Sequence, residues 1–159
     1  MIKEEKQRVY RELLHQWQGL ASEENDRIAL LANTAALLHH TLKTHWTGFY
    51  LVKDSFLILG PFQGPVACSR IPKGRGVCGQ AWADGKSLVV ADVHSWPGHI
   101  ACSPYSNSEI VVPVCSWNYV VKAVLDVDST DFGAFDEVDR QGLETIMREL
   151  GNVWDRLSA

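Results

Sequence analysis

Apolar residues recur every three or four positions near both ends of the chain and alternate singly in its middle. Val9, Leu13, Trp17 and Leu20 keep helical spacing, and Ile28, Leu31, Ala35, Leu38 and Leu42 resume it after a break. Ser22, Asn25 and Asp26 in that break supply helix-start chemistry, since their short side chains accept from the first free N–H groups of a helix. Leu143, Ile146, Met147, Leu150, Val153 and Leu157 form a third stripe. Asp136, Glu137 and Asp139 put negative charge at its start, where the helix dipole is positive. Stripes of this kind predict helices packed on a core.

The middle predicts strands. HWTGFYLVK and SFLILGPF are joined at Asp54, and SEIVVPVCS and YVVKAVLDVDS are joined around Trp117 and Asn118, which reads as two hairpins. Between them come a strand around Cys68, a glycine-rich turn, a short helix from about Val77 to Ala83, a strand from Ser87 to Val90 and a long loop. The expectation is an α+β fold: one antiparallel sheet with the N- and C-terminal helices on one face and a ligand pocket on the other. The length, 159 residues, suits a single domain over 1–159.

Side chains alternate faces along a strand, so parity sorts the residues. Phe49 and Leu51, Ile110, Val112 and Val114, and Tyr119, Val121, Ala123, Leu125 and Val127 form apolar rows for the helices. The opposite faces carry Trp46, Tyr50, Glu109, Asp126 and Asp128. If these strands are neighbours, three carboxylates and two aromatics line one concavity. Such a set suits a small cation bearing an apolar group.

Net charge is −4, with no basic stripe, which gives no support for nucleic-acid binding. The charged, amphipathic N-terminus has no signal-peptide core, and no apolar run is long enough to cross a membrane, so the chain is read as cytoplasmic. In that compartment Cys68, Cys78, Cys102 and Cys115 are better read as catalytic, redox-sensing or metal-binding than as structural disulfides. Their spacing contains no C-x-x-C, and a metal centre drawn from His94, His99 and these cysteines is not expected. IPKGRGVCGQA reads either as an anion cradle or as a tight turn, and a helix start at Val77–Cys78 would lower the pKa of Cys78. Cys102 stands seven positions before Glu109, at the mouth of a strand. It reads as a small buried residue or as a nucleophile with a proton source.

The motifs HWTGFYLV, LGPFQGPVACSRIPKGRGVCGQAW, ADVHSWPGHIACSPYSNSEIVVPV, AVLDVDS and FDEVDRQGLE closely resemble the free methionine-(R)-sulfoxide reductases, enzymes built on a GAF domain. The resemblance implies Cys102 as nucleophile, Cys68 as resolving thiol and Cys78 as a third thiol able to join the relay. It implies that Glu109, Asp126 and Asp128 hold the substrate amine and assist protonation of the sulfoxide oxygen. Trp46 and Tyr50 would cover the methylthio end. No cofactor is implied: electrons come from thioredoxin, and family members commonly pair as homodimers. Cys115 is an extra cysteine whose parity with Glu109 suggests the site side, the plainer reading being a small half-buried residue. The alternative is a non-catalytic GAF module that binds a small ligand or senses redox state. A sensor is normally coupled to an output domain, for which this chain leaves no room, and a redox switch leaves the acids and aromatics unemployed.

Overall fold

The computed structural model describes residues 1–99 and 103–159. Four helices, α1 (Lys3–Ala21), α2 (Arg27–Leu42), α3 (Gly76–Asp84) and α4 (Glu137–Val153), accompany six strands among the described residues. The strands are β1 (Trp46–Lys53), β2 (Phe56–Gln63), β3 (Arg70–Pro72), β4 (Leu88–Val90), β5 (Ser108–Cys115) and β6 (Val121–Ser129). They pair antiparallel in the order β3-β2-β1-β6-β5-β4, so the chain returns to the centre of the sheet with its last strand. No described helix is long and apolar enough to cross a membrane.

Parity sorts the strands as expected. Phe49, Ile110, Val112, Val114, Ala123, Leu125 and Val127 meet α1, α2 and α4 in one apolar core. Trp46, Tyr50, Val111 and Val124 face the other way, into a second cluster closed by Val77, Cys78, Ala81 and Trp82 of α3. The pocket face therefore carries its own short helix. At the first hairpin, Asp54 takes a left-handed φ of 54°, as a tight turn demands.

The helix stripes sit one position round from two of their expected members. Tyr10 and Ala21, rather than Val9 and Leu20, are buried on α1, and Ile28 is exposed. Tyr10 turns inward because its hydroxyl donates to buried Asp139 (2.7 Å), which also accepts from Lys6 Nζ (2.6 Å). Asp136 caps α4 in a reciprocal capping box with Asp139, and Asp26 alone caps α2, accepting from the Ala29 N–H. Two strand boundaries also differ. Tyr119 lies in the second turn, 91% exposed with φ 63°, and Val121, expected in the helix-side row, packs instead with the second cluster because the pairing skips Lys122, so the apolar row of β6 begins at Ala123. The strand expected around Cys68 starts only at Arg70, because the Cys68 carbonyl accepts from the Tyr50 hydroxyl (2.9 Å) instead of joining the ladder.

α4 lies tight on β5. A Cβ at Gly151 would fall 2.0 Å from the Cys115 carbonyl oxygen, a backbone atom that a flexible side chain cannot relieve. Gly151→Ala is expected to lift the helix and destabilise the protein by about 1–3 kcal/mol, an overpacking cost larger than alanine's gain in helix propensity. Chemical denaturation measures it; a stability equal to or above wild type would refute the tight contact.

Candidate active site

Register brings the acids together. Along β6, Asp128 lies opposite Trp46 of β1 and Glu109 of β5, while Asp126 lies between Gly48 and Val111. Three carboxylates therefore stand on adjacent rungs of neighbouring strands, all pointing away from the helical layer. Glu109 and Asp126 are each only 6% exposed, and among the described residues none of the three is in an ion pair. Asp126 Oδ1 is buried without a hydrogen-bond partner. An unpaired buried carboxylate is costly unless it is protonated or meets a cation.

The electrostatics follow from this crowding. Burial, and then the charges of Asp126 and Asp128, push the Glu109 carboxyl well above the usual range. Burial and Asp126 do the same to Asp128. Asp126 is raised less emphatically, again chiefly by burial. Asp126 is thus the charge that its neighbours respond to, while Glu109 and Asp128 favour holding a proton.

Cys78 joins the cluster from α3. Its Sγ lies 3.9 Å from Glu109 Oε2 and the residue is 4% exposed. The expectation that a helix start lowers its pKa is overturned: burial, then Asp126 and Glu109, push the thiol well above its ordinary value. A half-unit of helix dipole does not offset desolvation beside three acids. The glycine-rich segment is a closed turn, in which the Gly74 N–H donates to Gly79 and the Arg75 N–H to Pro72.

Trp46 and Tyr50 lie on the acid side of β1, their rings stacked 5.9 Å apart. A bulge in the β1–β2 pairing between Gly48 and Tyr50 accommodates them. Phe62 of β2, for which the sequence gives no site signal, also stacks with Trp46, ring centroids 5.1 Å apart. It lies opposite Gly48 in the β1–β2 register. The polar ends of both site aromatics reach one segment: the Trp46 Nε1–H donates to the Pro65 carbonyl (3.0 Å), and the Tyr50 hydroxyl to Cys68. They tether the segment carrying Cys68, which is disulfide-bonded, whereas Cys78 and Cys115 are free. The cleft so formed is also lined by Val66, Arg75, Ser103 and Ser106, which carry no signal in the sequence, and by His99, weighed there only as a metal ligand.

Two expectations need separate treatment. Cys102 falls outside the described residues. Cys115 is half-buried, as the plainer reading has it, and lies outside the cleft: it lines a different groove with Trp117, Arg140 and Glu144. Cys115 ends β5, at the opposite end from Glu109; the register shift beside it skips Lys122 of β6, with Val114 opposite Ala123 and Cys115 opposite Val121. Of the residues weighed as metal ligands, neither His94 nor His99 belongs to a group of three or more convergent His, Cys, Asp or Glu ligand atoms among the described residues. The described group whose ligand atoms do converge is Cys78, Glu109 and Asp126.

A GAF-domain family model matches residues 17–155. The free methionine-R-sulfoxide reductase of Escherichia coli strain K12 is 48% identical over 149 residues, covering 93% of this chain and 90% of that protein. The protein of the same name from Saccharomyces cerevisiae is 38% identical over 151 residues, covering 90% and 84%. The solved structure of free methionine-R-sulfoxide reductase from Neisseria meningitidis in complex with its substrate superposes with a TM-score of 0.92 at 48% identity, covering 95% of this chain and 91% of that one.

The crowding has a cost that a stability measurement reads. A carboxyl whose pKa is raised by folding contributes no penalty below its unfolded value of about 4.3 and a growing one as pH rises towards the folded value. Glu109→Gln removes that titration. Its melting temperature is expected to exceed wild type at neutral pH, by a margin that widens as pH rises from about 5 to 8. A margin independent of pH would remove the case for a raised Glu109.

Proposed function

The chain belongs to the free methionine-R-sulfoxide reductases, a family built on the GAF domain, and on that premise we propose that it reduces free methionine (R)-sulfoxide to methionine through a cysteine relay. The observation that carries the reading is the set of buried acids that form no ion pair among the described residues, beside stacked aromatics. A free amino acid brings both missing parts. Its ammonium donates to Asp126, the carboxylate least driven to take up a proton, and its methylthio end packs on Trp46 and Tyr50.

A sulfoxide is a poor electrophile until its oxygen is protonated. Glu109 or Asp128, held protonated by the charge of Asp126, gives that proton. The Cys102 thiolate attacks sulfur as the sulfur–oxygen bond breaks, giving a sulfur–sulfur-bonded sulfonium and releasing the protonated oxygen as hydroxide; the hydroxide then adds to the Cys102 sulfur as the sulfur–sulfur bond breaks, leaving a sulfenic acid on Cys102 and releasing methionine. Cys68 condenses with the sulfenic acid, releasing water and forming a disulfide. A dithiol, thioredoxin in our reading, reduces it by exchange. The disulfide at Cys68 and the free state of Cys78 support Cys68 as the resolving thiol, with the protonated, buried Cys78 in reserve. A relay that must be re-reduced each turn belongs in a reducing compartment, and we place the protein in the cytosol.

Single-turnover measurements separate the thiols. Cys102→Ser should yield no methionine, since serine cannot form the sulfenic acid. Cys68→Ser should yield about one methionine per enzyme and then recycle poorly. Methionine from the first variant, or none from the second, would overturn the assignment.

The acids also predict selectivity. An N-acylated substrate brings a neutral amide, losing a charge-assisted hydrogen bond worth ~1.5–3 kcal/mol. It also leaves a buried carboxylate unpaired, which can bring the penalty to ~3–5 kcal/mol. Discrimination of about a hundredfold to a few thousandfold follows. Comparing catalytic efficiencies for methionine sulfoxide and its N-acetyl derivative in one thioredoxin-coupled assay checks it. Similar values would move the acids out of the substrate site.

A further inference from the structure

We infer that Cys78, Glu109 and Asp126 form a binding site for a thiophilic divalent cation of the zinc type, and that its occupancy excludes substrate. One ligand atom from each residue lies within 4.8 Å of the others, and all three residues are buried. Tetrahedral zinc, with sulfur at about 2.3 Å and oxygen at about 2.0–2.2 Å, sets its ligand atoms roughly 3.3–3.6 Å apart. The Cys78 sulfur and Glu109 Oε2 already stand 3.9 Å apart, so a shift of a few tenths of an ångström closes that pair. A second, independent observation points the same way: Asp126 Oδ1 is buried with no partner.

The donor set selects the ion. Magnesium and calcium require shells of oxygen and gain nothing from a thiol. A borderline-soft ion accepts one sulfur and two carboxylate oxygens and keeps a fourth position for water on the pocket side. An ammonium, by contrast, gains little from the sulfur. The three donors come from α3 and from the adjacent strands β5 and β6, so the fold holds them in place before any ion arrives. On binding, the metal–sulfur bond replaces the S–H bond of Cys78 and the proton leaves to solvent. Metal binding follows from this geometry alone; the exclusion of substrate rests on the function proposed above.

The protein is titrated in its disulfide form, in which Cys78 and Cys115 are the free cysteines among the described residues. Cobalt(II) chloride serves as the spectroscopic stand-in and zinc chloride as the competitor. Expected are about one cobalt per chain with tetrahedral visible bands, a sulfur-to-cobalt charge-transfer band, and displacement by zinc but not by millimolar magnesium. The band should survive in Cys115→Ser, vanish in Cys78→Ser, and require at least about tenfold more cobalt in Asp126→Asn. Absence of the band in wild type, its loss in Cys115→Ser, its persistence in Cys78→Ser, or displacement by magnesium overturns the site. Circular dichroism checks each fold; should Cys78→Ser not fold, Cys115→Ser and Asp126→Asn decide. Free methionine sulfoxide should displace cobalt. A band that forms as expected but resists it leaves the metal site standing, overturns the exclusion of substrate and counts against the amine-binding reading.

Discussion

The register of β6 between β1 and β5 governs everything on the pocket face. Each of the three acids lies on β6 or directly across from it, and so do Trp46 and Tyr50. Strand alternation has a period of two, so a slip of one residue would exchange Asp126 and Asp128 for Leu125 and Val127. The oily row that anchors the helices and the acid row of the site are two sides of one constraint. Burial of Leu125 and Val127 under α1, α2 and α4 holds the acids in a place that electrostatics alone would reject.

That coupling explains how so unfavourable a cluster persists. Carboxylates crowded in a dry pocket oppose folding, and the helical layer on the far side of the sheet supplies the opposing free energy. The cluster is relieved by a proton, an ammonium or a metal ion, three positively charged partners that differ in how they treat the Cys78 sulfur. Selectivity among them is a matter of which donors each can use.

Much of this was legible in the primary structure because alternation is a backbone property. The facing of Glu109, Asp126, Asp128, Trp46 and Tyr50 follows from counting along strands. Failures occurred where the backbone departs from its regular period or where burial decides. Val121 leaves the helix-side row because the pairing of β5 with β6 skips Lys122, a shift that counting along a strand does not show. Cys78 was assigned a lowered pKa because a helix start is visible in a sequence and three acids packed against it are not. The contact of Phe62 with Trp46 depends on the pairing of two strands, and Tyr50's hold on the Cys68 carbonyl, which keeps the segment before β3 out of the sheet, is a tertiary bond; neither is visible in a sequence.

The outermost strands, β3 and β4, are each only three residues long. A short border offers little template for another chain's backbone, which protects a sheet this rich in valine and isoleucine from edge-to-edge aggregation. Early termination has a second effect. Released from the ladder at Pro72 and at Val90, the polypeptide is free to double back, once into the helix that delivers Cys78 and once into the long connection that leads to Cys102 and Glu109. The two margins that guard the molecule against its own copies are also the points from which Cys78 and Glu109 are brought to the acid cluster.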